Sequence, residues 1–233
     1  MNPVPSIDLE LVETNDGTPT LRRRGTEVTH RSLFGARTES DWVFLQGTRL
    51  AERPRAWRVV ELGFGAGTNF ATVVQKAAES GVRVEYWAVE RAPVPAEMVC
   101  ADGRAARLAR EVLALARTGE GPVITAGGGD VTIHLVIGDW IGAPLPGEAD
   151  AVFFDPFAPA VEPDSWTADA FAVAASCLAE GGVLATYSAS TGVREAMSEA
   201  GLAVGCLPGP GAEREVTVAA LTRDAIAHGR TYA

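Results

Sequence analysis

Lysine is almost missing from this 233-residue chain: Lys76 stands alone, and arginine carries nearly all of the basic charge. Histidine is scarce as well, and His30, His134 and His228 lie too far apart for metal-ligand spacing, so no metal site is expected. The three cysteines, Cys100, Cys177 and Cys206, are equally scattered. That odd number excludes a disulfide scaffold and a zinc site, and fits a reducing compartment. No run approaches the roughly 20 apolar residues of a membrane-spanning helix. Met1–Ser6 has neither a basic flank nor an apolar core, which predicts no signal peptide and a cytoplasmic protein. There is no Gly-x-Ser-x-Gly elbow and no phosphate-binding Gly-Lys-Ser/Thr loop.

What is present is a chain with 47% hydrophobic side chains and a net charge of −10. Such a composition excludes a disordered or collagen-like chain, and the length suits one large α/β domain or one domain with a modest extension. An acidic chain is a poor candidate for nucleic-acid binding by counterion release. The charge is uneven, however: Leu21 to Arg58 holds nine arginines and four acids, for a local +5 against −15 elsewhere. That stretch is either a solvated arginine-rich surface or a patch for an anionic partner.

The first 56 residues read as an extension. Ile7 to Glu13 alternates apolar and acidic residues, Asn15-Asp16-Gly17 turns, and Thr20 to Arg24 returns, which predicts a β-hairpin. A helix is expected from Thr38-Glu39-Ser40-Asp41, with Trp42, Leu45 and Leu50 on one face. From Trp57 onward, residues 57–233, strands alternate with helices, the pattern of a parallel sheet. Strands are expected at Arg58–Leu62, Val82–Val89, Val131–Ile137, Ala151–Phe154 and Gly182–Tyr187. Helices are expected at about Asn69–Ser80, Pro95–Arg117, Thr167–Ala179 and Thr191–Ala200. Leu202–Leu207 and Glu215–Leu221 form a closing antiparallel hairpin, and the glycine-rich Gly119–Gly129 reads as a surface loop.

Glu61-Leu62-Gly63-Phe64-Gly65-Ala66-Gly67-Thr68-Asn69 takes a strand through alternate glycines into a helix. Glycine tolerates φ > 0 and lets a ligand approach the backbone, and the helix start presents free N–H groups. The dinucleotide fingerprint would need glycine where Thr68 stands. The spacing is instead similar to the first motif of class I S-adenosylmethionine-dependent methyltransferases, although a plain tight turn would use the same residues. Glu90, at the end of the second expected strand, is placed to accept ribose hydroxyls, or is an ordinary strand-end carboxylate. Asp139 and Trp140 end the third strand, where they would meet an adenine. The fourth ends in Asp155-Pro156-Phe157-Ala158-Pro159, followed by Trp166. An acid at a strand end before proline and an aromatic suits amine methylation, because a carboxylate can orient an N–H while rings such as Phe157 or Trp166 hold a planar base. The same residues would also serve as a rigid connector.

Together, Glu61–Phe70, Asp155–Pro159 with Pro163–Trp166, Gly209–Glu215 and the upstream His30–Ser40 with Val43-Phe44 resemble the MnmC/MnmD methyltransferases. The resemblance runs from about residue 30 to residue 221. It implies a class I, Rossmann-like fold: a seven-stranded, mostly parallel sheet with an antiparallel last strand, carrying the N-terminal extension. It implies S-adenosylmethionine as cofactor and methylation of the aminomethyl nitrogen of a modified wobble uridine, giving 5-methylaminomethyl-2-thiouridine in tRNA. By position, Glu61, Gly63, Phe64, Gly65, Gly67, Asn69, Glu90, Asp139 and Trp140 would bind the cofactor, and Asp155 would be catalytic. Phe157, Pro159, Trp166 and Arg214 would shape the substrate side. The arginine-rich 21–58 region would meet tRNA, and a separate flavin oxidase would be a natural companion. Pro156, Glu162 and Ala212-Glu213 depart from the family pattern. N-methylation of a small amine or natural-product intermediate is the alternative activity, and a non-catalytic binding module is the alternative outside enzymes.

Overall fold

The computed structural model describes residues 8–118, 121–209 and 215–231. The hairpin is present as β1 (Leu9–Glu13) and β2 (Pro19–Arg23), paired antiparallel as a small sheet of their own. The next helix starts earlier than expected, as α1 (Ala36–Glu39), and widens into a π-helical turn over Ser40–Gln46. The wider turn brings Val43, Phe44 and Leu45 inward together, while Trp42 turns outward and its indole N–H donates to the Pro208 carbonyl at 2.7 Å. Thr38 does not start this helix. Its backbone N–H and hydroxyl both donate to Asp16, tying α1 to the hairpin turn.

The main sheet contains β3 (Trp57–Leu62), β4 (Val84–Glu90), β5 (Val123–Gly128), β6 (Val131–Ile137), β7 (Ala149–Phe154), β8 (Leu178–Thr186), β9 (Ala203–Pro208), β10 (Glu215–Ala220) and β11 (Arg230–Thr231). Among the described residues their spatial order is β11-β9-β10-β8-β7-β3-β4-β6-β5. The expected seven-stranded core is intact, with β6, β4, β3, β7 and β8 parallel and β10, last of the seven in sequence, antiparallel to β8. Two edge strands enlarge it. The stretch read as a glycine-rich loop supplies one of them: β5 pairs antiparallel with β6, and Ile124 and Ala126 alternate inward. Its glycines had masked a period-two pattern, and one of them is structural, since a Cβ on Gly127 would stand 2.4 Å from the Val131 carbonyl oxygen.

Strands β3 and β7 are buried on both faces, as central parallel strands must be. Val59, Ala151 and Phe153 face one core, shared with α2 (Thr68–Ser80), α3 (Gly103–Thr118) and the N-terminal segment. Val60, Leu62, Val152 and Phe154 face the other, under α4 (Ala168–Cys177) and α5 (Thr191–Glu199). Leu9, Leu21, Phe44 and Leu50 belong to the first of these cores, so the extension shares the apolar cluster of the sheet. The long helix expected from Pro95 is interrupted. A tight turn at Ala96–Met98 gives way to extended chain whose Cys100 N–H donates to the Ala66 carbonyl, pinning the loop after β3. All three cysteines are buried thiols outside any disulfide. Among the described residues, no helix is long and apolar enough to cross a membrane.

Candidate active site

The C-terminal ends of β3, β4 and β7 open on a cleft of about 470 Å³. This is the crevice in which open α/β sheets hold ligands. Its floor is the loop between β3 and α2. Gly63, Gly65 and Gly67 have φ of 102°, 54° and 77°. The approach is closest at Gly63, where a Cβ would stand 2.5 Å from the Asp155 carbonyl oxygen. Residue 63 therefore has to be glycine for β3 and β7 to come together at this end of the sheet. Phe64 buries its ring near Phe70 and lines the cleft above it.

Glu90 ends β4 at the cleft wall. Its carboxylate accepts from the Gly65 N–H at 2.9 Å and from the Ala92 N–H at 2.8 Å. Burial pushes its pKa up, and these backbone donors pull it back. Trp140 lines the cleft nearby, 5% exposed. Asp139 does not line it. It lies at the rim, where Arg91 bridges it at 2.9 Å to Glu162 at 3.1 Å and places its guanidinium 5.6 Å from the centre of the Trp140 ring.

Beneath the floor lies a buried polar cluster. Period-two alternation along β3 turns Glu61 toward the α2 side, where it is wholly buried and accepts from Asn69 at 2.7 Å and from the Tyr86 hydroxyl at 2.8 Å. Asn69, near the start of α2, also donates to Asp155 at 3.0 Å and accepts from the Ser40 hydroxyl. Asp155, just past the end of β7, is bound by the Arg31 guanidinium, which also reaches Glu39 at 3.5 Å and Glu61 at 4.0 Å. Burial pushes Asp155 up to about 7 against the pull of Arg31. Burial, together with the charge of Asp155, pushes Glu61 up to about 8. Arg31 itself is held above its usual value, because the carboxylates of Asp155, Glu39 and Glu61 outweigh the burial that opposes its charge.

Phe157 stands at the mouth, its ring edge-on to His30 with centroids 5.1 Å apart. Trp166 belongs elsewhere. It is 7% exposed, packs on Phe154 and Tyr187, and donates its indole N–H to the Phe157 carbonyl at 2.8 Å, so it braces the loop from the core side. Pro159 does not line the cleft, and Arg214 lies outside the described residues. His30, Arg31 and Glu39 line the cleft and were not among the site residues expected from sequence. Arg31 had counted toward an arginine-rich stretch and as part of the His30–Ser40 resemblance, without a role of its own. That patch is not one free surface: Arg22, Arg24, Arg49 and Arg58 are spent on ion pairs and Arg31 is buried. His30 is pushed down to about 4 by burial and by Arg31 and Arg23, so its ring is neutral.

A glycine cradle after β3, a carboxylate at the end of β4 and a buried acid just past β7 form a fitting seat for an adenosyl cofactor bearing a transferable group. Residues 107–222 match the family model described as S-adenosyl-L-methionine-dependent methyltransferase. The chain carries this methyltransferase domain over residues 107–222. It is an enzyme of the class that uses S-adenosylmethionine. It is 37% identical over 203 residues to the tRNA 5-methylaminomethyl-2-thiouridine biosynthesis bifunctional protein MnmC of Pseudomonas putida, a match covering 76% of this chain and 30% of that protein. The MnmC of Ralstonia nicotianae is 33% identical over 219 residues, covering 88% and 33%. The crystal structure of MnmC2 from Aquifex aeolicus superposes with a TM-score of 0.76 at 27% identity, covering 94% of this chain and 74% of that one. The chain thus spans about a third of the length of the curated relatives it matches.

Proposed function

We propose that this methyltransferase acts on the aminomethyl nitrogen of a modified wobble uridine in tRNA, yielding the 5-methylaminomethyl-2-thiouridine named in its relatives. The observation that carries the reading is Asp155, a carboxylate lodged between the glycine loop and a ring-edged mouth and held by Arg31 and Asn69. In this reading residues 57–233 form the catalytic domain, and 1–56 an extension that completes its site.

The bound cofactor supplies a methyl group activated on a sulfonium. The backbone of Gly63–Gly67 would receive its amino-acid part, with Glu61 and Asn69 supporting the loop from below. Glu90 would accept from the ribose hydroxyls and Trp140 would wall the adenine, with Asp139 at the rim. An alkyl amine resembles lysine in basicity, with a pKa of about 10.4, and its protonated form has no lone pair to offer. Asp155 accepts the hydrogen bond of the amine N–H and takes its proton, and the freed lone pair is aligned on the methyl group. A carboxyl pushed up to about 7 suits that task, because a proton acceptor works best when its pKa lies near the working pH. Phe157 and the neutral His30 border the space for a planar base. Arg23 lines the cleft, and neither it, Arg37 nor Arg55 forms an ion pair within 4 Å among the described residues, which leaves these three for phosphates.

The test is methyl transfer to undermodified tRNA by the purified chain. Asp155→Asn should lower turnover at least about a hundredfold, the scale of a positioned acid–base group, while affinity for S-adenosylhomocysteine changes far less. Near-normal turnover would make Asp155 structural. Methylation of a small amine is the second reading, favoured by the commitment of Arg22, Arg24, Arg31, Arg49 and Arg58 to ion pairs. Unchanged wobble nucleosides in a strain lacking the gene would favour that reading.

A further inference from the structure

We propose that Arg31, contributed by the N-terminal extension, is a positioning residue for methyl transfer that acts through Asp155, fixing the direction of its carboxylate and holding it as an anion. The inference rests on the reading of Asp155 as the group that receives the amine proton. Arg31 and Asp155 are 124 residues apart in sequence, yet their side chains are 5% and 6% exposed and in direct contact. A buried guanidinium needs a reason to be there, since its desolvation is repaid only where carboxylates meet it with good geometry. Arg31 is secured from several sides. Glu39 of α1 takes its second terminal nitrogen at 3.5 Å, the Phe44 ring lies 5.2 Å away, and the preceding His30 N–H donates to Leu21 of the hairpin at 2.8 Å.

Among the described residues, every other charged or titratable group facing Asp155 works against its ionised form or is neutral. Glu61 and Glu39 are acids, Tyr86 and Tyr187 are phenols held above their usual pKa by burial, and His30 is neutral. Arg31 is the one cation within reach of the buried carboxylates among the described residues. Without it Asp155 would keep its proton at neutral pH and could not take one from the amine. Asn69 would be left as its hydrogen-bond partner, and the carboxyl would lose the fork that aims it. The extension thus carries a working part of the site as well as covering the core.

Two measurements on the whole 233-residue chain test this. The first follows the Asp155 carboxyl by 13C NMR in the ligand-free protein, its resonance assigned by loss in Asp155→Asn. Arg31→Met should raise the titration midpoint by at least about one pH unit, and Arg31→Lys should restore most of that shift. The second is a double-mutant cycle on methyl transfer to undermodified tRNA. Arg31→Met should lower kcat at least about tenfold, with KM for the cofactor nearly unchanged, and should cost less than about threefold once Asp155 is already asparagine. Arg31→Lys keeps the charge and loses the fork. If the methionine variant does not fold, the lysine variant must still lose kcat in the wild-type background and not in Asp155→Asn. An unmoved midpoint, or losses that multiply in the double variant, overturns the proposal. A wild-type chain inert on tRNA removes the acceptor assignment alone, because the NMR midpoint is read without any acceptor.

Discussion

Replacing Gly63 with alanine should be among the most damaging single-methyl changes in this protein, and its cost follows from three features. With φ at 102°, the backbone lies where an L side chain is strained, which costs roughly 1–2 kcal/mol. The new Cβ would meet the Asp155 carbonyl oxygen at 2.5 Å, its carbonyl carbon at 3.0 Å and the Pro156 nitrogen at 3.3 Å. These are backbone atoms of the neighbouring strand end and cannot rotate away, so overpacking adds about 1–3 kcal/mol. Relief requires the ends of β3 and β7 to part, which stretches the bond from the Asp155 N–H to the Leu62 carbonyl, now 2.9 Å, and forfeits about 1 kcal/mol more. The sum is about 3–6 kcal/mol, a large share of the roughly 5–15 kcal/mol that stabilises a typical native protein. Gly81, at the end of α2, is the control. Its φ is 66° and nothing lies within 4 Å of its would-be Cβ, so Gly81→Ala should cost only about 1–2 kcal/mol from the backbone. Urea unfolding of the three proteins measures both differences. Calorimetry with S-adenosylhomocysteine should show weaker binding for Gly63→Ala alone, because parting the strand ends reshapes the cradle. If Gly63→Ala unfolds no more easily than Gly81→Ala, the close approach of β3 and β7 is not the constraint described above.

Other consequences are open to direct measurement. Glu90→Ala should weaken S-adenosylhomocysteine binding by roughly 1–3 kcal/mol, the worth of hydrogen bonds to a charged acceptor, and calorimetry showing no change would remove Glu90 from the ribose site. Tyr86→Phe takes the donor from a wholly buried Glu61 oxygen and should lower stability by about 1–3 kcal/mol in urea unfolding, with little change in cofactor affinity. His30 takes up a proton only near pH 4 when folded and near 6.5 when unfolded, so between those values the unfolded chain binds more protons and stability falls as the pH drops. His30→Gln should therefore gain stability relative to wild type as the pH is lowered from about 6.5 towards 4, and thermal melts across that window that run parallel would contradict the buried neutral ring.

The sequence by itself determined whatever depends on neighbours along the chain. Val59 to Asn69 had to be strand, left-handed turn and helix, because β-branched residues, three alternate glycines and the helical run that follows leave few other backbones. The same local logic placed Glu90 at the end of β4, Asp155 just past the end of β7, and β6 over Val131–Ile137. Where glycine interrupted the period, as in β5, or proline stood beside a tight turn, as before α3, local pattern misled. Only the tertiary structure decided which charges meet. Nothing in the spacing of Arg31, Glu39, Glu61 and Asp155 marks them as one buried cluster, since they come from the segment after the hairpin, from α1, from β3 and from the end of β7. Trp166 and Phe157 are both aromatics near the same acid, yet one is turned into the core and the other to the mouth. Asp139 could reach either a ligand or Arg91, and the folded chain brings it to Arg91. Backbone conformation is set within a few residues. The pairing of buried charge depends on how the extension docks on the sheet, and no local period records that.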